Sequence, residues 1–159
     1  MAENQKLHFD DGLLRLEIND NGLLTFNPSD FNVYQRFAKL LKDLPELEKR
    51  YIAEVEADSG DVEPSEGQAV ELAGRELDRA HEMDSEIKRR LGEVFGPGND
   101  FDALLGGVNV MALGNNGERV ISNLLNALAP YIEDGANRQM ESAAREAKLN
   151  RERRRALQP

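Results

Sequence analysis

Apolar and polar residues alternate in two short segments near the start of the chain, and this alternation predicts a β-hairpin. A two-residue loop at Asn21 and Gly22 would place apolar residues opposite polar ones across the two strands. A three-residue loop at residues 20–22 pairs residue 18 with residue 24 and sets apolar against apolar. We therefore predict the three-residue loop, with Gly22 in the left-handed conformation that such a loop needs. The alternating apolar residues are Leu14, Leu16, Ile18, Leu24 and Phe26.

Apolar residues then recur every three or four positions, which predicts a long helix at about residues 28–57. Asn27 is suited to cap the start of this helix, and Pro28 is suited to its first helical position. Pro45 either begins a second helix or kinks one long helix, and the pattern leaves both alternatives open. The predicted buried stripe consists of Phe31, Tyr34, Phe37, Ala38, Leu41 and Leu44.

Two further apolar stripes predict helices at about residues 68–91 and 117–133. Residues 54–66 contain six acidic residues and no basic one, which predicts a solvated acidic loop between the first two long helices. Asn116 is placed to cap the last predicted helix, and Gly135 is placed to end it. The two stripes are Ala73, Leu77, Ala80, Met83, Ile87 and Leu91, and then Val120, Ile121, Leu124, Leu125, Leu128 and Ile132.

These elements predict an α+β fold that is mainly α, with an N-terminal β-hairpin at residues 13–26 packed on a small helical domain. A chain of 159 residues suits one domain, which we place at residues 1–135. Residues 136–159 are rich in Ala, Glu and Arg but poor in large apolar side chains. Such a composition favours a helix that is marginal alone, so we predict a basic tail that is helical or disordered.

Composition excludes several classes of protein. The chain has no Cys and no Trp, which removes disulfides, thiolate chemistry and Cys-based zinc sites. Its first eleven residues, MAENQKLHFDD, are polar and acidic and do not resemble a signal peptide. No stretch approaches the roughly 20 apolar residues that cross a bilayer. We therefore expect a soluble intracellular protein that does not enter a membrane.

The charge is distributed unevenly along the chain. The formal net charge is −10. Residues 138–159 hold seven basic and three acidic residues, a net charge of +4, which leaves −14 for residues 1–137. An acidic body repels nucleic acid, whereas a basic tail attracts an acidic partner. The contrast therefore indicates association rather than catalysis.

The side chains best suited to catalysis or metal binding do not form a recognised catalytic or metal-binding motif. His81 begins the sequence HEMDS, but a zinc-protease pair would need a second histidine where Ser85 stands. The glycine-rich stretch at residues 92–117 contains no Lys, Ser or Thr, so it cannot supply the phosphate and magnesium contacts of a P-loop. We expect no enzymatic activity, no metal site and no cofactor.

The glycine-rich stretch is better interpreted as a scaffold that connects helices. Residues 96–98 (Gly-Pro-Gly) end the preceding helix, and Asn99 or Asp100 caps a short helix that Gly106 and Gly107 close. The apolar run that follows is either buried in the core or offered to another chain. We predict partner binding by this run, at Val108, Val110, Met111 and Leu113.

Short motifs in this stretch resemble those of tail assembly chaperones, a family of small proteins from tailed phages and prophages. One is a Phe-Gly-x-Gly turn, matched by residues 95–98, and another is a later Gly-x-Asn, matched by residues 107–109. The helix start after the hairpin, at residues 26–28 (Phe-Asn-Pro), also fits this family. The resemblance covers roughly residues 13–135 and leaves the basic tail outside it.

The resemblance implies a non-enzymatic protein in the bacterial host cytoplasm. It would bind the tape-measure protein, the tail-tube protein or both during tail assembly and leave before the virion is complete. The charge contrast adds Arg151, Arg153, Arg154 and Arg155 to the predicted partner-binding residues, and a homo-oligomer is a further alternative. A different class of function, a nucleic-acid-binding or other small adaptor protein, would use the same arginines. The acidic body and the absence of aromatic residues after Tyr131 disfavour nucleic acid.

Overall fold

The computed structural model describes residues 2–59, 63 and 65–158, without the side chains of residues 58 and 59. Its elements form a small hairpin followed by helices, so the predicted α+β, mainly α fold class is confirmed. The two strands form one antiparallel sheet. In chain order the elements are β1 (Leu14–Glu17), β2 (Leu23–Phe26), α1 (Phe31–Ser59), α2 (Glu66–Phe95), α3 (Phe101–Leu104) and α4 (Val120–Ala156).

The hairpin differs from the prediction by two residues in register. Leu14 pairs with Phe26 and Leu16 pairs with Leu24, so the predicted pairing of Ile18 with Leu24 is wrong. A shift of two residues keeps every side chain on its original face, because side chains alternate with a period of two along a strand. The prediction of apolar opposite apolar therefore holds in the observed register.

The turn of the hairpin explains the shift. Asn19 and Asp20 both have a positive φ, 46° and 62°, and the Asn21 N–H donates to the Ile18 carbonyl at 2.8 Å. Positive φ at both central residues is typical of type I′ turns, and Asn and Asp tolerate it better than most residues. Gly22 also has a positive φ, 150°, but it follows the turn instead of forming its centre.

Helix α1 begins three residues later than predicted. The Asn27 side chain accepts a hydrogen bond from the Ser29 N–H at 2.8 Å, but this bond closes a local turn and not a helix start. Asp30 directly precedes the helix, and its carboxylate accepts from the Asn32 N–H at 2.9 Å. Pro28 therefore lies in the turn before α1.

Helix α1 is a single helix that contains Pro45, which selects the long helix from the two alternatives. It continues to Ser59, so residues 54–59 of the predicted acidic loop are helical. Residues 60–62 and 64 of that loop lie outside the described residues.

The buried face of α1 is rotated relative to the predicted stripe. Phe37 and Leu44 are buried as predicted, but Phe31, Tyr34 and Leu41 are 55%, 44% and 45% exposed. Ala38 is exposed as well. The helix therefore carries two adjacent apolar stripes, of which only one faces the core. The side chains that pack inward are Val33, Phe37, Leu40, Leu44 and Leu47.

Helix α2 is longer than predicted at both ends. A capping box begins it: the Ser65 hydroxyl accepts from the Gln68 N–H, and the Gln68 side chain accepts from the Ser65 N–H. The helix passes through Gly92 and ends at Phe95. The carboxyl-terminal part of its predicted stripe is buried, whereas Leu77 is 72% exposed.

Helix α4 is also longer than predicted. It begins at Val120 and not after Asn116, whose side chain pairs with Asn123. It passes through Gly135, so the prediction that this glycine ends the helix is wrong. The glycine has a packing role: a Cβ built on it would lie 2.0 Å from the Pro28 carbonyl oxygen. The absent side chain therefore lets α4 cross close to the segment between β2 and α1.

One hydrophobic core joins the hairpin to the helices. Phe95 lies at its centre, with ring centroids 4.9 Å from Phe26, 6.3 Å from Phe37 and 5.6 Å from Phe101. These rings come from β2, α1, α2 and α3, so a single aromatic cluster fixes the hairpin against three helices.

We predict that Gly135→Ala destabilises the protein by about 1–3 kcal/mol, because the added methyl group would overlap rigid backbone. Gly74→Ala is the matched control, since Gly74 lies in α2 and its Cβ would meet nothing within 4 Å. That change should stabilise the fold by about 0.5–1 kcal/mol, as replacing an unhindered helical glycine usually does. Urea unfolding of both variants measures the difference in their free energies of unfolding. Equal stabilisation by the two changes would contradict the close approach of α4 to Pro28 at Gly135.

Candidate partner-binding surfaces

The outer edge of β2 is closed by the side chain of Asn99. Its Oδ1 accepts from the Thr25 N–H at 2.9 Å, and its Nδ2 donates to the Thr25 carbonyl at 2.9 Å. Nδ2 also donates to the Phe95 carbonyl at 3.0 Å, and Asn99 itself is only 8% exposed. The amide reproduces the two bonds that a third strand would make. Asn99 was predicted only as an alternative cap for α3, a role that Asp100 takes.

The outer edge of β1 has no such cover. Thr25 directs its backbone groups outward, so its cross-strand neighbour Arg15 does the same, and Glu17 follows two residues later. Within the part of the chain that the structure describes, no residue hydrogen-bonds to these outward groups of Arg15 and Glu17. Both residues are exposed. An unpaired edge of this kind is a template for another strand.

An apolar groove lies beside this open edge, between β1 and α4. One part is a cavity of about 520 Å³. A second cavity of about 660 Å³ continues past Tyr131 along α4, where Gly12 and Leu13 face Arg138 and Glu141. A volume in this range is sufficient for several side chains of a bound segment. The apolar residues lining the first cavity include Leu16, Ile18, Leu105, Leu124, Leu128 and Tyr131.

The predicted partner-binding run at residues 108–113 is divided between core and surface. Val110 and Met111 are 0% and 7% exposed and belong to the core, so in this fold they are not accessible to a partner. Val108 and Leu113 are 45% and 68% exposed. Partner binding therefore remains a prediction only for the two exposed residues of the run.

Asp84 holds this run in place. It is 8% exposed, and its Oδ1 accepts from the Val110 N–H at 2.8 Å. Its Oδ2 pairs with the Lys88 ammonium at 2.9 Å, and the same ammonium contacts Asp102 at 2.6 Å. Burial acts to lower the pKa of Lys88, but the hydrogen bonds that its ammonium donates to Asp102 and Asp84 outweigh burial and leave that pKa raised. The ion pair of Lys88 with Asp102 thus ties α2 to α3, and the bond of Asp84 to Val110 ties α2 to the loop before α4.

The predicted basic tail is the carboxyl-terminal part of α4. Apart from Gln139, which is half-buried, residues 137–157 are exposed, including the four arginines predicted to bind a partner. The helix from residue 137 to Ala156 is about 30 Å long at 1.5 Å per residue. This charged part of α4 therefore projects from the core. The four arginines at its end are Arg151, Arg153, Arg154 and Arg155.

The remaining candidates for chemistry do not converge. His81 and Ser85 are both exposed on α2. Within the described ranges, no group of three or more His, Asp or Glu side chains is placed to hold a metal ion. None of the helices described is long and apolar enough to span a membrane.

Comparison with known proteins gives no family: no family model, curated protein or solved structure matches this chain.

We predict that Val110→Asp destabilises the fold by about 4 kcal/mol or more, because it buries an unpaired carboxylate. The new charge would also lie near Asp84, which bonds to the backbone of the same residue. Leu113→Asp is the control in the same loop, and it should change stability by no more than about 0.5 kcal/mol at a site that is 68% exposed. Thermal unfolding followed by circular dichroism compares the two variants. Similar losses of stability would contradict the placement of Val110 in the core and Leu113 at the surface.

Proposed function

We propose that this chain is a non-enzymatic tail assembly chaperone that binds tape-measure or tail-tube subunits, or both, in the cytoplasm of a bacterial host. The proposal begins from the sequence resemblance over roughly residues 13–135. The structure supplies supporting observations on how such a protein would hold its partner.

The residues that carry the resemblance have structural roles in the loops between α2 and α4. Gly96 and Gly107 have positive φ values of 106° and 74°, which favour glycine. Asn109 donates to the Ala80 carbonyl at 3.1 Å and accepts from the Met111 N–H at 2.8 Å. Positions with such constraints are suited to a family motif, because a change in any of them alters the path of the chain.

The structural observation that best supports binding to a partner protein is the projecting part of α4, which lies outside the residues of the resemblance. It has a net charge opposite to that of the body and packs little apolar surface against it. A helix of this kind gains stability mainly from tertiary contact. Met140, which is 57% exposed, and Leu149, which is 52% exposed, supply apolar contacts between the charged positions. An acidic, helical segment of a partner protein complements this surface in both charge and shape.

We predict that deletion of residues 138–159 abolishes co-purification with the tape-measure or tail-tube subunit. The subunits from the neighbouring genes would be co-expressed with the tagged chain and recovered by affinity chromatography. A sharper pair of variants replaces Arg151, Arg153, Arg154 and Arg155 with Gln or with Lys. The Gln variant removes the charge and should lose at least about tenfold in affinity, whereas the Lys variant keeps the charge and should retain binding. Unchanged recovery by the deletion variant would remove the projecting helix from the proposed function.

Nucleic acid is the second candidate partner, because four exposed arginines lie close together at the end of α4. A gel-shift titration with duplex DNA separates the two candidates. Binding to phosphates would weaken steeply with salt, with a slope of about −0.9 in log–log form for each phosphate neutralised. Tight binding at moderate salt would favour this candidate, whereas the charge of −14 on residues 1–137 leads us to expect none.

A further inference from the structure

The N-terminal arm, residues 2–13, forms neither helix nor strand, and all of its residues are exposed. Leu7 and Phe9 are 85% and 77% exposed. Their separation of two residues would place both side chains on one face of a strand. Paired as a strand, the arm would therefore present an apolar face, and both side chains are largely uncovered within the described part of the chain.

The same molecule contains an open strand edge beside an apolar groove. The outward backbone groups of Arg15 and Glu17 mark the edge, and Leu16 and Ile18 line the cavity of about 520 Å³ next to it. We propose that the arm of a second copy of this chain pairs antiparallel with β1 and covers this groove. The argument for this self-association does not rest on the proposed chaperone function.

Side-chain character fixes the register of the proposed pairing. With Phe9 opposite Leu16, Leu7 lies opposite Ile18, and both apolar side chains are on the face that lines the groove. The intervening pairs are then His8 with Glu17 and Asp10 with Arg15, and the second pair is opposite in charge. A shift of one residue would place apolar side chains opposite charged ones. A shift of two residues in one direction would place His8 opposite Arg15.

This register is symmetric between the two copies. Asp10 of the first copy faces Arg15 of the second, and Arg15 of the first copy faces Asp10 of the second. One two-fold axis near Gly12 and Leu13 therefore generates both halves of the interface from a single patch, as in most closed dimers.

Local hydrogen bonds favour exchange between copies over pairing within one chain. The Asp11 carbonyl accepts from the Asn27 side chain at 3.0 Å, and the Asp10 carboxylate accepts from the Gly12 N–H at 2.9 Å. Asn27 follows β2, so its bond to Asp11 connects the base of the arm to the β2 side of the hairpin. In the proposed register, an arm folding back in its own chain would have only Gly12 and Leu13 to reverse direction, and it would break the bond to Asn27. Exchange with a second copy does not require this reversal.

The first test measures the oligomeric state of the full chain by size-exclusion chromatography with light scattering. The wild-type chain should be a dimer, and Leu7→Ser combined with Phe9→Ser should make it monomeric without loss of helix content. Leu157→Ser is the control, because that residue is as exposed as Leu7, at 85%, but lies at the opposite end of the chain. A monomeric wild-type chain, or a dimer that survives the arm variant, would overturn the proposal.

The second test exploits the symmetric charge pair. Asp10→Arg and Arg15→Asp should each weaken the dimer by at least about tenfold, because each places like charges opposite each other twice. Mixing the two variants restores both pairs in a heterodimer, so the mixture should regain wild-type affinity. An arm paired within its own chain would gain nothing from mixing, and that result would also overturn the proposal. This test is made on the chain alone, without a partner protein, so its failure is distinguishable from failure of the partner pull-down.

Discussion

The architecture depends on one side chain that takes the place of a strand. Two strands alone are marginal in water, and here Asn99 bonds to both backbone groups of Thr25 while it also holds the carbonyl of Phe95. The hairpin is thereby fixed to the end of α2, directly beside the aromatic cluster that its Phe26 joins. Because Asn99 closes the β2 edge, the edge that remains open is that of β1. The position of this amide thus determines which face of the hairpin is available to another chain.

Sequence patterns predicted the elements whose signals are local. The alternation in the hairpin, the caps around α3 and the carboxyl-terminal stripe of α2 depend on neighbours within a few residues. Alternation fixes which face a side chain occupies but not the register, since a shift of two residues satisfies it equally. The start of α2 was missed although its signal was present, because Ser65 and Gln68 form the Ser-x-x-Gln spacing of a capping box.

Features that depend on tertiary contacts could not be predicted from the sequence. Helix α1 has two apolar stripes at helical spacing, and periodicity alone does not show which one meets the core. Gly135 looks like a helix end because glycine often ends helices, whereas its role is set by Pro28, more than a hundred residues away. The apolar run at residues 108–113 was predicted as a unit, but Asp84 on α2 pulls its centre into the core and leaves its ends exposed.

The open edge of β1 and the projecting part of α4 lie near each other at one end of the molecule, and this proximity connects the two proposals. Gly12 and Leu13 line the same cavity as Arg138 and Glu141, where α4 leaves the core. In the proposed dimer the two-fold axis passes near Gly12 and Leu13, so both projecting helices leave close to that axis. Each carries a net positive charge, and their mutual repulsion opposes dimer formation. An acidic partner bound between them would relieve this repulsion, so that partner binding and self-association strengthen each other by the same free energy.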